Sequence, residues 1–428
     1  MSDSVSLQSM LTVDEALEQV LVAFQALPAE TIDIADGLNR VLVEDVYATQ
    51  DLPPFANSSM DGYAVRAADV ANAGSKSPVH LKVILDIPAG SYTDIPVGVG
   101  EAARIMTGAP MPPGADSVIP VEDTNHAPTN GHNSAVQLSA RPATIAILKP
   151  GKPGDFVRPV GEDVKKGQRI LTKGRVLRAA DLGVLGGLGI PLIQVIRQPL
   201  VAILSTGDEL LKADQPLIPG KTRDMNGYTI PALVQGLGAR TFRLGVAQDR
   251  VEDVRAHLNR AVEAKVDLIL STAGVSVGAY DVVKTVVESL GALGFWKVKM
   301  RPGKPLAFGN IGGIPFLGLP GNPVSAMVSF DVFARPAILK MAGREWTTAT
   351  VQAEIAESIR SDGRQTYMRV LLSRTADGSL VAHSTGNQSS GALTSLVTAD
   401  GLLIIPEGMT DVPAGTHLPV RLFSNSTT

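Results

Sequence analysis

The 428-residue chain contains no cysteine. Disulfide scaffolds, thiolate metal sites and cysteine nucleophiles are therefore excluded. Aromatic residues make up only 4% of the chain, which leaves little surface for stacking on nucleic-acid bases. No uncharged apolar run reaches the roughly 18 residues that a membrane-spanning helix needs. Residues 1–10 are polar and lack the basic-then-apolar layout of a secretory signal. The formal net charge is −4, so no dominant surface for nucleic acid is expected. These absences point to a cytoplasmic protein with neither nucleic acid nor membrane as a partner. The sequence also lacks the G-x-x-x-x-G-K-[ST] string of P-loop NTPases, the nucleophile elbow G-x-S-x-G and any zinc-type spacing of its six histidines. Residues 98–103 match G-x-G-x-x-A by letter, but they lie in a β-rich stretch without the strand–helix frame of a dinucleotide site.

Length suggests roughly two to four domains. Thr12-Val13-Asp14-Glu15 reads as a capping box that opens a helix ended by Pro28. Over 52–148, short β-type runs alternate with Pro/Gly turns, predicting a β-rich domain. Residues 177–188 predict a Gly-rich helix. From Pro199 the rhythm changes. Apolar runs near 200–204, 241–246, 266–270 and 314–319 alternate with helical patterns over 226–237, 251–264, 279–290 and 323–341. Such alternation predicts a parallel α/β sheet covered on both faces. Asn226 and Asn322 are the expected helix caps, with Pro323 at the first helical position and Gly238 closing the 226–237 helix. After Gly343 only β-type runs remain, which predicts an all-β C-terminal domain of barrel or sandwich type.

In open parallel sheets, ligands bind beyond the carboxyl ends of the strands. The residues placed there include Thr206, Gly207 and Glu209, then Asp249, then Ser271, Gly274, Ser276 and Asp281, then Pro320, Gly321 and Asn322. Hydroxyls and backbone donors at helix starts suit an anion. Pro320-Gly321 brings bare backbone close to whatever fills the crevice. Glu209, Asp249 and Asp281 are hard oxygen donors able to hold Mg²⁺ beside a phosphate. The turn Arg301-Pro302-Gly303-Lys304-Pro305 sets two cations near these loops, suited to phosphate or oxyanion. A similar string, Lys149-Pro150-Gly151-Lys152-Pro153, reads as a solvated turn. The residues alone therefore predict a phosphorylated ligand and a divalent cation.

Several strings carry a family resemblance: Pro53-Pro54-Phe55, Asn57-Ser58-Ser59-Met60-Asp61-Gly62-Tyr63-Ala64, Arg104-Ile105-Met106-Thr107-Gly108-Ala109 and Gly161-Glu162-Asp163, followed by 205–210, 274–278 with Asp281, Phe295-Trp296-Lys297, 301–305 and 319–325. In number and order these resemble the MoeA family of molybdopterin molybdenumtransferases, which includes the gephyrin E domain, over about residues 10–423. The resemblance implies an elongated N-terminal domain (7–51 with 149–198) interrupted by the β-rich insertion (52–148), an α/β molybdopterin-binding domain (199–342) and a C-terminal β-barrel (343–428). It implies a homodimer in which the insertion of one subunit completes the site of the other, and an upstream molybdopterin adenylyltransferase as partner.

The implied reaction is insertion of molybdate into adenylylated molybdopterin with release of AMP, assisted by Mg²⁺. The implied catalytic or metal-handling residues are Asp61, Thr107, Glu209, Asp249 and Asp281. The implied substrate-binding residues are Asp163, Lys297, Arg301, Lys304, Pro320, Pro323, Arg369 and Ser390, beside the crevice residues named above. A non-catalytic, molybdopterin-binding scaffold on the same fold is the alternative. Two departures from the family pattern stand out. Ala273-Gly274 replaces Gly-Gly, where a methyl can restrict φ or crowd the ligand, and Asp224-Met225-Asn226 replaces Asp-Ser-Asn.

Overall fold

A computed structural model describes residues 10–126, 141–273, 282–346 and 349–423. The chain divides into two compact units: residues 1–31, 39–43 and 194–428 form one, and residues 32–38 and 44–193 the other. Helix α1 (Val13–Val22), in the first unit, carries the expected capping box. Thr12 Oγ1 accepts from the Glu15 amide at 3.2 Å, and Glu15 Oε2 accepts from the Thr12 amide at 2.8 Å.

The second unit contains a five-stranded sheet of β1 (Gly62–Val65), β2 (Val79–Ile87), β3 (Glu101–Ile105), β4 (Ser117–Pro120) and β5 (Thr144–Ile147), in the order β4-β1-β3-β2-β5. Alternation along the strands divides its side chains between two clusters. Tyr63, Val65, Val83 and Ile147 bury one face, and Ala64, Ile87, Ala103 and Val118 the other. Gly62 has no room for a side chain, because a Cβ there would collide with the Ile119 carbonyl. The fingerprint-like string at 98–103 runs into strand β3 rather than a helix, as its context indicated. Helix α2 (Ala179–Gly187) starts where Asp181 accepts from the Arg178 amide at 2.9 Å and from Arg175 Nη2 at 2.7 Å.

In the first unit, β6 (Leu200–Thr206), β7 (Arg240–Ala247), β8 (Leu268–Thr272), β9 (Gly291–Lys297), β10 (Pro305–Ile311) and β11 (Ile314–Leu319) form a six-stranded sheet in the order β7-β6-β8-β11-β10-β9. The first four are parallel, as expected. The other two extend the edge as an antiparallel pair that the sequence pattern did not suggest. Helices α3 (Asn226–Gly236), α4 (Val251–Glu263), α5 (Val282–Leu290), α6 (Pro323–Ser329) and α7 (Arg335–Met341) cover the sheet. Val201, Ile203, Leu268 and Leu270 pack with residues of α1, α3 and α7, while Ala202, Leu204 and Ile269 pack with α4 and α5. Each fully buried Leu or Ile contributes roughly 1.5–3 kcal/mol.

Three local expectations change. Asn226 is the first residue of α3 and does not cap it. Asp224 does, its Oδ1 accepting from the Gly227 amide at 2.8 Å, since a carboxylate three residues upstream is the stronger acceptor. Asn322 stands at the cap position before Pro323 but makes no side-chain cap bond. The 323–341 segment is not one uninterrupted helix. Phe330–Ala334 forms a π turn, because Pro336 has no N–H for the helical ladder and the Arg335 amide bonds back to the Phe330 carbonyl. Gly238, at φ +81°, closes α3 as expected.

The C-terminal strands close into a barrel. These are β12 (Thr350–Ile355), β13 (Gln365–Arg374), β14 (Leu380–Ser384), β15 (Gly401–Ile405) and β16 (His417–Leu422). Their order is β13-β14-β12-β16-β15, with β15 pairing back to β13. This resolves the choice between barrel and sandwich.

Candidate active site

The four parallel strands end at Thr206, Ala247, Thr272 and Leu319. Their following loops are tied to one another. The Asp249 amide donates to Asp208 Oδ1 at 3.1 Å, and the Asp208 amide donates to Asp249 Oδ2 at 3.4 Å. The Glu209 carboxylate lies over Gly207, so that a Cβ on that glycine would meet Glu209 Oε2 at 2.5 Å. Asn226 Nδ2 donates to the Gly321 carbonyl at 2.8 Å, and Asn226 Oδ1 is buried without a partner among the described residues. Ala273 holds φ +72° and donates its amide to the Leu319 carbonyl at 3.1 Å. A Cβ on Gly321 would meet the Ala273 methyl at 3.3 Å. Ala273 thus holds a left-handed backbone beside the 320–322 loop. Thr206 and Ser271 are buried at the strand ends, and Ser271 Oγ has no hydrogen-bond partner among the described residues.

Gly274, Ser276 and Asp281 lie outside the described residues. Among the described residues no group of three or more His, Cys, Asp or Glu is placed to hold a metal. Glu209 and Asp249 are nevertheless exposed carboxylates on adjoining loops, and their hard oxygens suit Mg²⁺. Mg²⁺ commonly takes one or two protein carboxylates and completes its shell with water and substrate phosphate, so this donor set fits that ion.

A cleft of about 510 Å³ lies between the 301–304 turn and the barrel. It is lined by Arg301, Lys304, Arg369 and Ser390, all four expected from the sequence, together with Arg360 and Arg364, which were not. The fold brings the two walls together through a short parallel pairing, Met300 with Gln365 and Arg301 with Thr366. Among the described residues, no acidic side chain lines this cleft. Arg369 is 2% exposed. Its Nε donates to Ser395 Oγ at 3.0 Å, and its Nη2 to the carbonyls of Asn387 at 3.2 Å and Ser389 at 3.0 Å. Burial, and then the charge of Arg301, hold its pKa below the usual guanidinium range. Burial pushes the neighbouring Tyr367 phenol up to about 12. The Ser390 carbonyl accepts from the Val324 amide at 3.1 Å, which ties the barrel loop to the start of α6. Pro320 and Pro323 are buried at that start, and Lys297 is half-buried at the end of β9.

Asp61, Thr107 and Asp163 belong to the other compact unit. There Asp61 Oδ1 accepts from both the amide and the hydroxyl of Thr107, each at 2.7 Å. The Asp163 amide donates to the Leu52 carbonyl at 3.0 Å.

Taken unit by unit, these features define an α/β protein with strand-end loops and a cationic cleft against a β-barrel. Family models match in three stretches: the MoeA N-terminal region (domain I and II) over 11–189, the probable molybdopterin binding domain over 202–340 and the MoeA C-terminal region (domain IV) over 352–423. A molybdopterin molybdenumtransferase of Nostoc sp. is 38% identical over 399 residues, covering 91% of this chain and 88% of that protein. The molybdopterin molybdenumtransferase 2 of Mycobacterium tuberculosis is 38% identical over 423 residues, covering 96% and 99%. The crystal structure of a molybdopterin biosynthesis MoeA protein from Pyrococcus horikosii superposes with a TM-score of 0.74 at 34% identity, covering 97% of this chain and 100% of that one. The chain belongs to the MoeA family.

Proposed function

We propose that this chain is a molybdopterin molybdenumtransferase that inserts molybdate into adenylylated molybdopterin and releases AMP. The observation that supports this most is the convergence of Arg301, Lys304, Arg369 and Ser390 on one cleft, beside a crevice built from strand-end loops. Molybdate is a dianion, and a cleft lined by cations, with no acid among its described lining residues, suits it. Thr206, Gly207, Ser271, Gly321 and Asn322, with Gly274 and Ser276, frame the adenylylated pterin. Glu209 and Asp249, with Asp281, are the residues that would hold Mg²⁺. When bound, that ion supplies Lewis-acid polarisation of the phosphoanhydride.

The protein works as a cytoplasmic homodimer, in which Asp61, Thr107 and Asp163 of one subunit serve the cleft of the other. Its substrate comes from a molybdopterin adenylyltransferase. The domain division is 7–51 with 149–198, 52–148, 199–342 and 343–428. A scaffold role is not favoured, because the curated relatives are named for a transferase activity. The test is AMP release from adenylylated molybdopterin by the pure protein, with and without molybdate. Strong stimulation by molybdate is expected. No response, while a known transferase responds in parallel, refutes the proposal.

A further inference from the structure

Asp362 is an exposed residue next to the cationic cleft and is not among the described residues that line it. Its Oδ2 lies 3.8 Å from Arg301 Nη1, too far for a hydrogen bond but close enough for a direct charge interaction. The carboxylate cannot swing away easily, because Arg364 holds it. Arg364 Nε lies 3.1 Å from both carboxylate oxygens, its amide donates to Oδ1 at 3.2 Å, and its Nη2 donates to Oδ2. Arg364 Nη1 is anchored on the Met300 carbonyl at 3.1 Å. The Arg301 side chain is 51% exposed, so it is the mobile partner of the pair. A fixed negative charge therefore pulls on a half-exposed guanidinium that lines the cleft. The same pairing holds the Asp362 carboxyl below the usual carboxylate range, chiefly through Arg364.

We propose that Asp362 is a built-in competitor for the oxyanion: it claims Arg301, and so sets how much negative charge an incoming anion needs to take that guanidinium over. This rests on the reading of the cleft as an oxyanion site and adds to it a residue that lowers its affinity for anions. A monoanion gains little by displacing a carboxylate of equal charge. A tetrahedral dianion gains more, because its attraction to Arg301 and Lys304 is doubled. Removing the Asp362 charge should tighten binding of every anion, and of the dianion most.

The test is calorimetric titration of the full chain with molybdate, a dianion, and perrhenate, a monoanion of similar shape. Asp362→Asn is compared with wild type, and Asp362→Ser is carried in parallel in case the first variant unfolds. An exposed ion pair of this kind is worth up to about 1 kcal/mol, so molybdate should bind about two- to fivefold more tightly in the variants. The perrhenate gain should be clearly smaller. Unchanged or weaker molybdate binding in a folded variant overturns the proposal. So does an equal gain for both anions, which would report a general loosening of the turn. If wild type binds neither anion, the oxyanion reading falls and takes this inference with it. If wild type binds molybdate and neither variant improves on it, only the role of Asp362 is lost.

Discussion

Ala273→Gly should make this protein more stable. Ala273 holds φ +72°, the left-handed region in which an L-residue costs roughly 1–2 kcal/mol relative to glycine. Against that, glycine increases the conformational freedom of the unfolded chain, a loss of about 0.4–1 kcal/mol. The half-buried methyl also lies beside Gly321, and its removal forfeits a few contacts of about 0.1–0.2 kcal/mol each. The balance is a gain of roughly 0.5 kcal/mol, or about 1–2 °C in melting temperature for a unit of this size. Differential scanning calorimetry of the full chain with and without the substitution measures it. A loss of more than about 0.5 kcal/mol would refute the reasoning, because it would mean that the methyl stabilises the 320–322 loop by more than the backbone strain costs. The same variant widens the gap between Ala273 and Gly321, so a change in KM for the adenylylated substrate should accompany the gain in stability.

Other perturbations follow from the same geometry. Arg369→Met leaves the carbonyls of Asn387 and Ser389 and the Ser395 hydroxyl short of a buried donor. It should cost roughly 2–4 kcal/mol in urea unfolding and weaken anion binding as well. Asn226→Ala removes the bond to the Gly321 carbonyl. A loss of about 1 kcal/mol is expected, with KM rising more than kcat falls in steady-state assays. Hydrogen bonds from Arg104 hold the Asp86 carboxyl below its ordinary value. A depressed folded pKa gives stability that is present above the unfolded value of about 3.9 and lost as pH falls through the folded value. Asp86→Asn should therefore lower stability at neutral pH and flatten the acid limb below roughly pH 4, as read from thermal melts across pH.

Much of this arrangement was legible in the sequence wherever a local rule governs. The Thr12–Glu15 box, the closing glycine at 238 and the parallel strands all follow from spacing and side-chain chemistry. The antiparallel edge of the sheet was not legible, because close packing there demands glycines that erase the β pattern. A Cβ on Gly291 would collide with the Asn310 carbonyl, and one on Gly309 with the Ala292 carbonyl. The cap of α3 was misread because Asn226 is a fair cap by type. Only the fold shows that its amide is used on Gly321. In the cleft, Arg301 and Lys304 were legible from their cationic turn, and Arg369 and Ser390 through family resemblance alone. Asp362 and Arg364 were missed because Ser361-Asp362-Gly363-Arg364 reads as a solvated turn. Nothing in its spacing reveals the pairing of Met300 with Gln365 that folds it against Arg301. The places of Glu209 and Asp249 on the strand-end loops were legible from topology, since that edge follows from the parallel order alone.

The most direct measurement is the molybdenum retained on the pterin per AMP released, by element analysis alongside nucleotide quantification, in one reaction of the pure protein with adenylylated molybdopterin, molybdate and Mg²⁺. A transferase that uses this cleft predicts equal amounts of the two products, with both falling together in Arg301→Gln. AMP released without molybdenum retained, or an Arg301→Gln variant that performs as wild type, would contradict it.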